Sequence, residues 1–112
     1  MRPTPTQLSN PRYRGDARSI VVTVQAGIDP TVYTWSLTAQ MESVTEGGAV
    51  LFTKTGSTVA SSLDITFALD SADALLMVSG QNVIYEVTGR SGTKIVAREH
   101  FVQKILKSEV VT

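Results

Sequence analysis

Groups able to do chemistry are few in this 112-residue chain and lie far apart. A nucleophile–base pair needs a serine, threonine or cysteine beside a base, most often histidine. His100 is the single histidine, and it sits in a strand-like run between Glu99 and Phe101, where a surface strand position accounts for it. A metal centre gathers three or four histidine, cysteine or carboxylate ligands. There is no cysteine, and the nearest approach to a ligand set is Asp70 with Asp73, whose place ahead of an apolar run suits acids that open a helix. Asp29, Glu42, Glu46 and Asp64 are scattered acids, and nothing in their spacing pairs two of them for general acid–base work. Glu46-Gly47-Gly48 and Gly89-Arg90-Ser91-Gly92 lack the strand–loop–helix setting and the lysine of a phosphate loop, so turn glycines account for both. No catalytic residue, metal, cofactor or small-molecule substrate is expected.

Binding chemistry concentrates near the N-terminus. Arg14-Gly15-Asp16 is a tripeptide known for engaging cell-surface receptors, but such a ligand needs an exposed loop on an exported protein. Here it joins a proline-rich leader to the first strand-like run, and the leader has no apolar stretch of the kind a signal peptide requires. The expectation is local: Gly15 lets the backbone bend, Asp16 bonds nearby N–H groups, and together they form a hinge. Residues 1–18 carry Arg2, Arg12, Arg14 and Arg18 against Asp16 alone, a net +3, which leaves −3 on the remainder of a chain of zero net charge. A basic arm on an acidic body predicts docking onto something acidic, and a neighbouring copy of the same protein would serve.

Residues 1–18 also hold three prolines, with Leu8 and Tyr13 as the only sizeable apolar groups. An extended, unpaired arm is therefore expected, with Arg2, Leu8, Arg12, Tyr13, Arg14 and Arg18 as its partner-binding residues. Nucleic acid is disfavoured as the partner, because the body is acidic and its strands show no aromatic stacking platform.

The elements that must hold this arm follow from a period of two, the mark of half-buried strands. At 42% apolar and 18% charged residues the chain suits one folded domain, and no apolar run approaches the roughly 20 residues that span a bilayer. Ile20, Val22 and Val24 alternate first. After a turn at Asp29-Pro30 comes the strongest strand signal, with Tyr33, Trp35, Leu37 and Ala39 on one face. A short strand ends at Gly56, and the next alternates with Leu63, Ile65, Phe67 and Leu69 inward and Asp64 and Thr66 outward. Asp70 or Ser71 can cap a two-turn crossover helix in which Ala72, Leu75 and Leu76 share a face. Val83, Tyr85 and Val87 then open a hairpin that turns at Gly89–Gly92, and a last strand places Phe101, Gln103 and Ile105 on one face.

Seven short strands with turn signals between them predict an all-β, immunoglobulin-like antiparallel sandwich, with an up-and-down barrel as the alternative. Trp35, Phe67 and Tyr85 are its expected core anchors. The division is an arm over 1–18, the sandwich over 19–107 and a tail over 108–112.

Taken in order, "RGDARSIVVTV", "TVYTWSLTA", "VLFTKTG", "LDITFALDSADALLMVSGQNVIYEVTG" and "GTKIVAREHFVQKIL" resemble the layout of small immunoglobulin-like virion proteins of tailed bacteriophages, found in baseplates, tails and heads. The resemblance implies a non-enzymatic structural protein of the virion, made in the host cytoplasm, whose partners are its own copies and other virion proteins. Short and armed, it fits a head decoration or minor capsid protein. A tail, neck or baseplate adaptor is the alternative, and a carbohydrate- or host-binding module is a third reading.

Overall fold

The computed structural model describes residues 6–7, 11–43 and 48–107, and Arg2, Leu8 and the tail 108–112 fall outside them. In chain order the elements are β1 (Thr6–Gln7), β2 (Arg12–Tyr13), β3 (Ile20–Thr23), β4 (Thr34–Met41), β5 (Phe52–Thr55), β6 (Ser57–Thr58), β7 (Asp64–Phe67), α1 (Ser71–Leu75), β8 (Asn82–Ser91) and β9 (Lys94–Leu106), with a 3-10 turn at Pro30–Val32. The larger sheet runs β1-β9-β8-β4-β5, with β2 also paired to β9, and the smaller runs β3-β7-β6. The two sheets close on one core as an all-β, immunoglobulin-like sandwich, and α1 is the crossover between them.

Alternation builds that core. Along β4, Trp35, Leu37, Ala39 and Met41 are buried while the residues between them reach the surface. Ile65 and Phe67 of β7, Ile20 of β3, and Val83, Tyr85 and Val87 of β8 complete the packing. Each large side chain so buried contributes about 1.5–3 kcal/mol. The Trp35 indole N–H donates to the Pro30 carbonyl at 2.8 Å, so the ring brings no unpaired polar group into the core. Asp29 fixes that turn by accepting from the Thr31 N–H at 3.0 Å.

Four departures from the sequence reading have physical causes. The arm does not stand off unpaired: Thr6–Gln7 and Arg12–Tyr13 both pair in parallel with β9, at Phe101–Val102 and Ile105–Leu106. Proline forbids a donor at its own position only, so the residues between prolines remain free to complete a sheet edge. Secondly, the two final strands are one, because β9 runs unbroken from Lys94 to Leu106 opposite β8 and absorbs an irregularity at Gly89/Arg90. Thirdly, Leu63 precedes β7 and is 36% exposed.

The last departure is the length of the helix, which runs for five residues rather than two turns. Ala72, Leu75 and Leu76 share a face as expected, and that face is exposed; Asp73 and Ala74 are the buried residues of α1, with Met77 just beyond. Asp70 caps α1, accepting from the Asp73 N–H at 2.8 Å, while Asp73 Oδ2 accepts from the Asp70 N–H at 3.0 Å. Asp73 also meets Lys54 of β5 at 2.6 Å. The cap and this ion pair hold Asp73 inward and leave the leucines outward.

Candidate functional site

The junction between the N-terminal segment and the body gathers most of the singled-out residues. Arg12 enters through β2, whose backbone is held on the free edge of β9, and its guanidinium is carried inward until the residue is only 4% exposed. Arg12 Nε donates to Gln103 Oε1 at 3.1 Å, and Nη1 donates to the carbonyls of Asp16 and Arg18 at 2.6 and 2.8 Å. Tyr85 donates its hydroxyl to the same Gln103 oxygen at 2.7 Å. Burial pushes the Tyr85 phenol up to about 12, against the opposing charge of Arg12. A buried cation is costly unless its donors are used, and here the planar fork reaches three acceptors.

Arg14, Gly15 and Asp16 form the turn that follows. The Asp16 N–H donates to the Tyr13 carbonyl at 3.0 Å, and Gly15, third of the four residues, has φ +88, the position that a type II turn reserves for glycine. The Arg14 N–H donates to the Leu106 carbonyl at 2.9 Å. Its side chain reaches the C-terminal end of α1, donating from Nε to the Met77 carbonyl at 3.1 Å and from Nη2 to the Leu75 carbonyl at 2.9 Å. That placement satisfies carbonyls a helix end leaves open.

Asp16 Oδ1 accepts from the Arg18 N–H at 2.9 Å, and Asp16 Oδ2 lies 2.7 Å from the Arg18 guanidinium. Partial burial pulls the Asp16 carboxyl upward, but the bonds from Arg18 and the charges of Arg18 and Arg12 outweigh it and hold the group below its ordinary value. The tripeptide is thus occupied within its own fold.

The structure therefore brings Arg12, Arg14, Gly15, Asp16 and Arg18 together and sets Tyr85 against Arg12 through Gln103. Trp35 and Phe67 lie in the hydrophobic core. Tyr13 is 41% exposed, while the Arg18 side chain is 73% exposed even though it pairs with Asp16. Gln103 is the member whose role sequence reasoning missed. Its signal was present, since a glutamine between Phe101 and Ile105 on one face is a polar group with no reason to be inward unless it has a partner.

Elsewhere the chemistry is structural. His100 Nε2 lies 2.9 Å from Glu86 Oε2 on the neighbouring strand, a cross-strand pair with no hydroxyl nucleophile in it. No group of three or more potential metal ligands occurs among the described residues. A polar cleft of about 720 Å³ opens where β4 ends and β8 begins, lined by Glu42, Ser43, Gly80, Gln81, Asn82 and Lys104. None of these described residues is aromatic.

No family model matches the chain, and no curated protein sequence matches it significantly. Among solved structures it is similar to CopC from Methylosinus trichosporium OB3b, with a TM-score of 0.53 and 12% identity over 93% of this chain and 91% of that one. At that identity the likeness defines the class of fold, a β-sandwich.

Proposed function

We propose that the chain is a non-enzymatic structural component of a tailed-phage virion, an adaptor of the tail, neck or baseplate. The observation that carries this reading is the Arg12–Arg18 junction. Its charged groups are engaged within the fold, Arg12 with Gln103, Arg14 with the end of α1 and Asp16 with Arg18, and so hold residues 12–18 on the body. A body with residues 6–7 and 12–13 paired to its own sheet edge suits repeated contacts in a closed symmetric assembly, where many modest interfaces add up. The order of the sequence pieces that resemble phage virion proteins supports the same class.

A head decoration role drew on a free arm reaching across a lattice. With Arg12 buried and the Arg14 side chain bonded to α1, these two arginines are held on the body, which favours the tail-associated placement. Glycan binding needs exposed rings beside polar groups, and Trp35 and Tyr85 are both interior. Quantitative mass spectrometry of purified particles tests the proposal. About six or a dozen copies per particle are expected of a tail or neck ring. Hundreds would return the chain to the head lattice, and absence from particles would refute a virion role.

A further inference from the structure

α1 is inside out. A short helix on a core ordinarily turns its leucines inward, yet Leu75 and Leu76 are 51% and 49% exposed while Asp73 is buried. The capping bonds and Lys54 hold the acid in place, so the outward placement of the leucines is built into the fold. Val78 and Tyr13 are exposed to a similar degree. The Tyr13–Asp16 turn and the end of α1 make one surface: a Cβ on Gly15 would stand 3.6 Å from Leu75 Cδ2, and Arg14 bonds the carbonyls of Leu75 and Met77.

Arg14 and Lys107 are the cations of that surface, and the carboxylate of the turn, Asp16, is paired with Arg18. Both Arg14 side-chain bonds go to carbonyls, and no carboxylate pairs with it among the described residues. Lys107, also exposed, follows Leu106, whose carbonyl receives the Arg14 N–H. Because two bonds already orient the Arg14 fork, a carboxylate arriving there meets a preorganised partner and little rotamer freedom is lost.

We propose that Tyr13, Arg14, Leu75, Leu76 and Val78 form a docking surface for an acidic, leucine-bearing segment of another protein. This rests on the reading of the chain as an assembly component and names the contact such a component uses. The leucines of the partner cover Leu75, Leu76 and Val78, and its carboxylates meet Arg14 and Lys107.

The test is fluorescence anisotropy of the full chain with a short labelled peptide in which leucine and glutamate recur among serines. Two control peptides replace glutamate by lysine or leucine by serine. Only the first peptide is expected to bind, and rising salt should weaken it. Arg14→Glu and Leu76→Ser should each weaken binding by about tenfold. Leu76→Ser keeps the test open if Arg14→Glu fails to fold.

Equal binding of the three peptides, or wild-type affinity in Leu76→Ser, would overturn the proposal. So would a several-fold gain in affinity on removing residues 108–112, which would make the chain's own end the occupant; unchanged affinity supports an outside partner. Self-association that Leu76→Ser abolishes would make a second copy the occupant and also overturn it. Peptide binding does not depend on the particle, so the chain's absence from virions would refute the proposed function separately from this result.

Discussion

Arg12 donates from Nε to Gln103 Oε1 at 3.1 Å, a bond that ties together residues 91 positions apart and seals the N-terminal segment to the last strand. Arg12→Met should remove this bond and leave the Asp16 and Arg18 carbonyls without their donor. A loss of about 2–3 kcal/mol follows, a fall of about 10 °C in melting temperature. Arg12→Lys should recover little of it, because an ammonium cannot reach three acceptors in one plane. Melting of Arg12→Met at the wild-type temperature would contradict the buried placement.

Trp35 and Gly89 pair across β4 and β8, and the indole lies where a side chain at Gly89 would be. A Cβ there would come within 2.5, 2.7 and 2.9 Å of three ring atoms. Gly56 faces the same residue and Ile65 with comparable contacts, the nearest at 2.6 Å. Gly89→Ala should therefore destabilise by about 1–3 kcal/mol through overpacking, despite the gain expected from a stiffer unfolded chain. Thermal denaturation measures it.

Tyr85 gives a pH signature. Its phenol is pushed by burial from an ordinary 10.0 to about 12. The folded state thus holds its proton where the unfolded state loses it, so stability is complete below pH 10 and falls as pH rises toward 12. Ultraviolet titration of wild type against Tyr85→Phe should find the difference, the Tyr85 phenol, still protonated in the window between those two values. Ionisation of that phenol at its ordinary value would contradict the buried contact with Gln103.

Asp73 sets the acid side. Burial pulls its carboxyl upward, but Lys54 and the Asp70 backbone outweigh that and hold it below the ordinary 3.8. A depressed carboxyl stabilises above its unfolded value and loses that contribution as pH falls through the folded one. Asp73→Asn should melt a few degrees below wild type at neutral pH, and the gap should close below pH 3.8. A gap independent of pH would show that the charge is not what holds α1.

Strand positions were legible in the sequence wherever one face is buried and the other is wet. β4 shows this best, since its alternation names Trp35, Leu37 and Ala39 as inward without any knowledge of what they meet. The face of α1 was not legible. Five residues make too short a helix for periodicity to decide, and the cap and Lys54, a residue distant in sequence, settled it. The same limit explains Arg12, which reads as a surface charge until Gln103 is brought to it from the far end of the chain.

The proposed role as a tail-associated adaptor whose junction surface meets a partner is tested most directly by electron cryomicroscopy of the intact particle. This sandwich is expected in a ring at the tail, neck or baseplate, with Arg14, Leu75 and Leu76 covered by an acidic segment of a neighbour. A particle without the sandwich, or one in which that surface faces solvent, would contradict it.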